Sequence, residues 1–172
     1  YARRGWKVAP FKAQNMSNNA AVCAGGEIGR AQAVQAYAAG MEPCVDMNPV
    51  LLKPESDSRS QVILRGQVWH TQAAKEYYRS KDLLWKEVAA SLDRLRDQAE
   101  LVIMEGAGSP AELNLAAQDI VNLAPVRYAH TPCLLVGDVD RGGVFAQLLG
   151  TLDLLPVEDR RFVRALVVNK FR

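Results

Sequence analysis

The chain has 172 residues, 49% hydrophobic and 23% charged, with a formal net charge of +2. That is enough apolar material for one ordinary globular core, and the small net charge with no dense Lys/Arg block gives no footprint for nucleic acid. No apolar run reaches the roughly 18 residues of a membrane-spanning helix and no apolar signal-peptide core opens the chain, so the cytoplasm is the expected location.

Residues 1–5 read as the last turn of a helix closed by Gly5, with Arg3 and Arg4 suited to its negative end. The spacing predicts a short strand over 6–9, then a long polar loop over 10–26 rich in Asn, Ser and Gly. A helix is expected over 28–39, stopped by Gly40, its alanines suited to close packing on a sheet. Pro49 and Pro54 bracket 47–54 and argue against a central strand throughout. A polar stretch over 55–60 precedes a strand over 61–64 that ends at Gly66. Leu84, Val88, Leu92, Leu95 and Ala99 recur at helical steps and predict an amphipathic helix over 83–99.

That helix leads into Leu101-Val102-Ile103-Met104, an apolar run that stops at Glu105 and is followed by Gly106-Ala107-Gly108. Continuous apolar runs read as strands buried on both faces, and ligands in α/β sheets sit beyond the carboxyl ends of such strands. Further on, a helix is expected over 119–129 and a strand over 132–136 ending at Gly137-Asp138-Val139-Asp140-Arg141-Gly142-Gly143. Helices over 144–155 and 156–163 follow, then a last strand over 165–168 ending at Asn169. Strands alternating with helices predict an α/β domain, its mostly parallel sheet covered by helices on both faces. No internal repeat or second domain is expected within these residues. Cys23, Cys44 and Cys133 lack zinc or disulfide spacing and read as structural, Cys133 buried in a strand. His70 and His130 stand alone on polar segments and read as surface residues.

Several strand ends deliver polar groups to one sheet edge: Lys12, Glu105, the cluster Asp138, Asp140 and Arg141, and Asn169. Such convergence is what a nucleotide site requires. A Mg2+ ion takes carboxylate oxygens and bridges phosphates, and Glu105 with Glu27 is the pair expected to hold it. Glu105 is otherwise a polar residue ending a strand, and Glu27 is equally read as an acid favoured in the first turn of a helix. Lys12 can reach a transferred phosphoryl group as a point charge, or be an ordinary loop lysine. Gly142 and Gly143, preceding a helix, offer N–H groups to an anion that Asp138 and Asp140 would repel unless a cation intervenes. No G-x-x-x-x-G-K-[ST] loop is present, which with the opening half-turn suggests a piece lacking its first strand, phosphate loop and most of its first helix.

The segments Pro10-Phe11-Lys12-Ala13-Gln14-Asn15-Met16-Ser17, Gly25-Gly26-Glu27-Ile28-Gly29-Arg30-Ala31-Gln32 and Asp46-Met47-Asn48-Pro49-Val50-Leu51-Leu52-Lys53-Pro54 appear in order along the chain. Glu105-Gly106-Ala107-Gly108-Ser109-Pro110-Ala111-Glu112, Asp138-Val139-Asp140-Arg141-Gly142-Gly143-Val144-Phe145-Ala146 and Asn169-Lys170-Phe171-Arg172 follow. Together they resemble the synthetase domain of the cobyric acid synthase family, itself similar to dethiobiotin synthetase and its P-loop NTPase-like fold. The resemblance implies ATP- and Mg2+-dependent amidation of corrinoid carboxylates b, d, e and g through an acyl phosphate, with ammonia supplied by a glutaminase domain. It implies that Lys12 contacts the phosphoryl group, that Glu27 and Glu105 bind magnesium, and that Asn169 reads adenine. It turns Asn15, Asn48, Pro49 and Ser60 toward the corrinoid, and implies neither a nucleic-acid nor a membrane partner; a homo-oligomer is compatible with it. Without the phosphate loop and the C-terminal glutaminase domain, residues 1–172 are expected to form a partial domain, inactive alone. The alternatives are an a,c-diamide synthase of the same pathway, a ParA/MinD-like partitioning ATPase, and a non-catalytic module keeping only the corrinoid surface.

Overall fold

A computed structural model describes residues 1–56, 59–73, 80–112 and 119–171. They form two compact units, Tyr1–Ala107 and Gly108–Arg172. The first unit contains strands β1 (Val8–Phe11), β2 (Gln14–Met16), β3 (Ala20–Cys23), β4 (Gly26–Gly29), β5 (Val50–Ser56), β6 (Arg59–Leu64), β7 (Gln67–Ala73) and β8 (Leu101–Met104). Its helices are α1 (Arg30–Ala38) and α2 (Lys81–Gln98). The turn at Ala2–Arg4 is a 3-10 turn closed by left-handed Gly5, as the opening residues suggest.

β1 and β8 pair in parallel; all four β1 residues are buried, but β8, the run expected to be buried on both faces, leaves Ile103 48% exposed because β1 is its one strand partner among the described residues. The segment 10–26, expected to be a loop, is instead largely strand. β1 continues to Phe11, β2 runs parallel to Val50–Leu52 of β5, and β3 and β4 form an antiparallel hairpin. Polar residues with weak strand preference take this form because distant chain supplies their hydrogen-bond partners. The hairpin also claims Ile28, so the helix starts later than expected, at Arg30; its Ala33 and Ala36 are buried, as their small size suggests.

β5, β6 and β7 form an antiparallel meander joined to β2. β5 is central only where β2 pairs with Val50–Leu52; Pro54 lies beyond that segment, so its missing N–H breaks no bond to β2. The polar stretch at 55–60 belongs to this hairpin, with residues 57 and 58 outside the described set. β7 was not foreseen. It is turned by Arg65 and Gly66, both at positive φ (45° and 79°), the backbone of a tight two-residue hairpin.

Helix α2 closes the core. Leu84, Val88, Leu92 and Leu95 are at most 1% exposed, each adding about 1.5–3 kcal/mol by burial. Its C-terminal half anchors the 3-10 turn Val45–Met47. The Asp46 carboxylate accepts from Ser91 Oγ at 2.8 Å and from Arg94 Nη2 and Nε at 2.7 and 3.0 Å. Burial works to raise the Asp46 carboxyl, but the Arg94 and Ser91 hydrogen bonds and the charges of Arg94 and Arg65 outweigh it and hold it below its ordinary value.

The second unit contains α3 (Leu123–Ala129), β9 (Cys133–Asp138), α4 (Val144–Leu154), α5 (Val157–Arg160) and β10 (Val163–Asn169). β10 and β9 pair in parallel, with Asn169 beside Asp138. The helix expected from 119 begins at Leu123, because the Asp119 carboxylate accepts the N–H groups of Val121, Asn122, Leu123 and Ala124 at 2.7–2.9 Å and caps it. Gly137 lets α4 lie close on β9, since a Cβ there would stand 2.6 Å from Val144 Cγ2. Cys133 is only partly buried, unlike the expectation, while His70 and His130 are exposed as expected. Parallel strand pairs with helices make both units α/β, as the alternation of elements predicts, the meander being the antiparallel addition. No helix among the described residues is long and apolar enough to cross a membrane.

Leu92→Ala is expected to cost about 2–5 kcal/mol in urea unfolding, whereas Leu83→Ala, at a position 44% exposed, stays within about 0.5 kcal/mol. Because the folded-state value of Asp46 lies below the unfolded one, its contribution is fully present above about pH 4 and is lost as pH falls through the lowered folded value. Asp46→Asn is therefore expected to flatten the acid limb of a stability–pH profile and to lower stability at pH 7.

Candidate functional site

Two neighbouring parallel strands end together. Phe11 lies beside Met104 in the register, so the next residues, Lys12 and Glu105, leave the sheet at the same carboxyl edge. Lys12 Nζ stands 2.7 Å from Glu105 Oε1, and Gln35 Nε2 of α1 donates to Oε2 at 2.9 Å. Burial tends to raise the Glu105 carboxyl, but the hydrogen bonds from Lys12 and Gln35 and the Lys12 charge prevail, holding it below the ordinary carboxylate value. Glu105 is thus an anion at neutral pH and suits a ligand or charge partner rather than a proton donor. Gln35 went unread in the sequence, where it is one polar residue in an alanine-rich helix.

Beside this pair lies a knot of carboxamides. Asn48 is 1% exposed; its Oδ1 accepts from Gly29 N at 3.0 Å, and its Nδ2 donates to the carbonyls of Lys12 at 3.0 Å and Val50 at 2.9 Å. Asn15 Nδ2 donates to Gln32 Oε1 at 2.8 Å. Gln32 is fully buried, and its Nε2 has no partner among the described residues. A Cβ at Gly29 would run into Asn15 Nδ2 and stand 2.6 Å from Gln32 Oε1, so a larger residue there would displace this amide pair. Pro49 is buried as well, its carbonyl accepting from Arg65 N at 2.7 Å, so Asn48 and Pro49, expected to face the corrinoid, are packed inside instead, while Ser60 lies half-buried on β6 opposite Pro54.

Glu27 lies within β4, not in the first turn of a helix, which removes the helix-end reading of this acid. Its N–H donates to Gly66 O at 3.1 Å, an approach that needs glycine at 26, at φ 147°. Lys53 of β5 places its Nζ 2.7 and 2.6 Å from the two Glu27 oxygens. Both Glu27 and Glu105 offer the hard oxygens that Mg2+ takes, so the donor chemistry fits, although each carboxylate is engaged by a lysine in this arrangement. Among the described residues no group of three or more His, Cys, Asp and Glu side chains is placed to hold a metal, so the remaining ligands of such an ion would be phosphate and water.

The second unit carries its own polar cluster. Asp138 Oδ1 accepts from Asp140 N at 3.0 Å, and Lys170 Nζ lies 2.8 Å from Asp138 Oδ2 and 3.0 Å from Asp140 Oδ2. The Lys170 hydrogen bond, then the Asp140 N–H, lowers the Asp138 carboxyl; the same contacts with Asp138 and Asp140 raise Lys170. The repulsion expected between these aspartates and an anion is thus partly offset by Lys170, whose role only the β9–β10 register reveals. Arg141 and Asn169 are exposed, the latter at the carboxyl end of β10 beside Asp138.

The family model described as the CobQ/CobB/MinD/ParA nucleotide binding domain matches residues 1–172. A protein of Chloroflexus aggregans named cobyric acid synthase is 61% identical over 172 residues, covering 99% of this chain and 35% of that protein. Proteins of the same name from Roseiflexus castenholzii and Variovorax paradoxus are 58% and 57% identical, covering 99% and 100% of this chain and 35% and 36% of theirs. The chain therefore spans about a third of the length of the curated relatives it matches. No solved structure matches it significantly. A carboxylate and a lysine at adjacent parallel strand ends, together with the match along the whole chain, establish that it belongs to the CobQ/CobB/MinD/ParA nucleotide-binding domain family.

Proposed function

We propose that this chain is the nucleotide-binding part of a cobyric acid synthase, an amide ligase that uses ATP and Mg2+ to activate corrinoid side-chain carboxylates for attack by ammonia from a glutaminase domain. The observation that carries the reading is the Lys12–Glu105 pair at the shared carboxyl edge of β1 and β8. The relatives' shared name supports the corrinoid over other carboxylate substrates. A cytoplasmic location and the absence of nucleic-acid or membrane partners go with this reading, and a homo-oligomer is compatible with it.

In the proposed chemistry a substrate carboxylate oxygen attacks the terminal phosphorus of ATP and ADP leaves. Ammonia then attacks the acyl carbon, loses a proton, and inorganic phosphate departs. Lys12 holds its ammonium against the transferring phosphoryl oxygens, where charge has to be neutralised without a new covalent bond. Glu105 and Glu27 would hold the magnesium, which when bound supplies charge neutralisation across the phosphates. Gln35 orients Glu105, and its amide keeps that carboxylate aimed when Lys12 turns to phosphate. Within the second unit Asn169 is assigned to adenine, and Asp138, Asp140 and Arg141 are assigned to nucleotide binding with Lys170 setting their charge balance. Asn15 and Ser60 face the corrinoid in this reading, while Asn48 and Pro49 act from behind as the frame of that surface.

In the full-length protein, ammonia-dependent ATP hydrolysis should require corrinoid acids. Turnover that ignores corrinoids and responds to DNA or lipid would replace the ligase with a partitioning ATPase, and amidation confined to the a and c side chains would indicate the diamide synthase. Glu105→Gln is expected to lower kcat by about 100-fold or more with the fold intact by circular dichroism, as loss of one phosphoryl-stabilising group does. Asn169→Ala is expected to let GTP approach ATP as a substrate, measured as the ratio of kcat/KM values; equal use of both by the parent protein defeats the assignment.

A further inference from the structure

We propose that Lys53 and a divalent cation are alternative occupants of the Glu27 carboxylate, so that the site neutralises itself with an ammonium until a metal displaces it. The inference rests on the assignment of Glu27 to the metal but adds a residue and a competition that the assignment does not contain.

The geometry is specific. Lys53 Nζ is nearly equidistant from the two Glu27 oxygens, at 2.6 and 2.7 Å, which is where a cation shared by both oxygens would sit. A divalent ion and this ammonium cannot both stand there, because two like charges would then be closer than their contact radii allow. Both partners are constrained. Glu27 is held in β4 by pairing with Val22 and by Gly66 O, and Lys53 is held in β5 opposite Gln61. Their side chains are 26% and 23% exposed, so the pair is only partly screened by water. Lysine suits a replaceable occupant: its charge sits at the end of a flexible stem, and the ammonium can swing away without moving the strand.

The consequence is a metal site of deliberately reduced affinity. A free carboxylate would take up divalent ions readily whether or not nucleotide is present, whereas a lysine-occupied one takes them more weakly until phosphate oxygens supply further ligands.

The test is a titration of the full-length protein with Mn2+ alone, read by electron paramagnetic resonance of the free ion, for the parent, Lys53→Met, Lys53→Arg, Glu27→Gln and the Lys53→Met/Glu27→Gln pair. Lys53→Met is expected to bind Mn2+ about tenfold tighter, since the competitor is gone and Glu27 is left uncompensated. Lys53→Arg should stay near the parent, and the gain should vanish in the Glu27→Gln background, which a double-mutant cycle isolates. Should Lys53→Met not fold, Lys53→Gln is read the same way. Unchanged or weaker binding by Lys53→Met, with weaker binding by Glu27→Gln, overturns the competition and leaves the metal assignment standing. Parent-like binding by both Glu27→Gln and Lys53→Met overturns the assignment as well.

Discussion

The carboxamide of Asn48 ties together backbone that the strands alone do not join. One side chain satisfies the N–H of Gly29, the carbonyl of Lys12 and the carbonyl of Val50, so the edge of β1, the end of β4 and the start of β5 are set with respect to one another. Only an amide does this, since it accepts at one atom and donates twice at the other. At 1% exposure each unmade bond would cost about 1–3 kcal/mol, with no water to replace it. Asn48 is in turn placed from further back. It follows the turn Val45–Met47, which Asp46 fastens to Ser91 and Arg94 of α2, and α2 is fastened by its buried leucines. A helix that supplies no candidate ligand residue thereby helps determine where Lys12 and Glu27 stand.

What the sequence made legible is what local rules encode. The period of Leu84, Val88, Leu92 and Leu95 marks α2, and the apolar runs that stop at Glu105 and Asp138 mark strands with polar groups at their carboxyl ends. The pairing of Lys12 with Glu105 follows once those strands are parallel neighbours. Other features depend on partners far along the chain. Gln14-Asn15-Met16 has no strand signature until Val50–Leu52 lies beside it, Lys53 and Gln35 become site residues only through contacts 26 and 70 positions away, and the bracing role of Asn48 comes from a contact 36 positions away. The β6–β7 hairpin was missed for a different reason. Its turn puts Arg65 at φ 45°, where Asn, Asp or Gly would have announced it.

The ion pairs divide by the kind of cation used. Where a contact has only to hold, arginine supplies it: Arg94 grips Asp46 through two nitrogens, and Arg127 holds the nearly buried Asp159 at 2.8 Å. A planar guanidinium gives fixed, directional bonds suited to that task. The acids assigned to ligand chemistry are met by lysine instead, Glu105 by Lys12, Glu27 by Lys53, and Asp138 with Asp140 by Lys170. Each of these carboxylates thus has an ammonium beside it, which is why a net charge of +2 conveys so little about an anionic ligand. An ammonium on a flexible stem can leave its carboxylate for a phosphate oxygen at little steric cost, and the carboxylate it leaves is then an open ligand for a metal. In the proposed reading the choice of lysine beside Glu105 and Glu27 therefore links anion binding to cation binding: a lysine that turns to phosphate exposes the oxygens that a divalent ion needs.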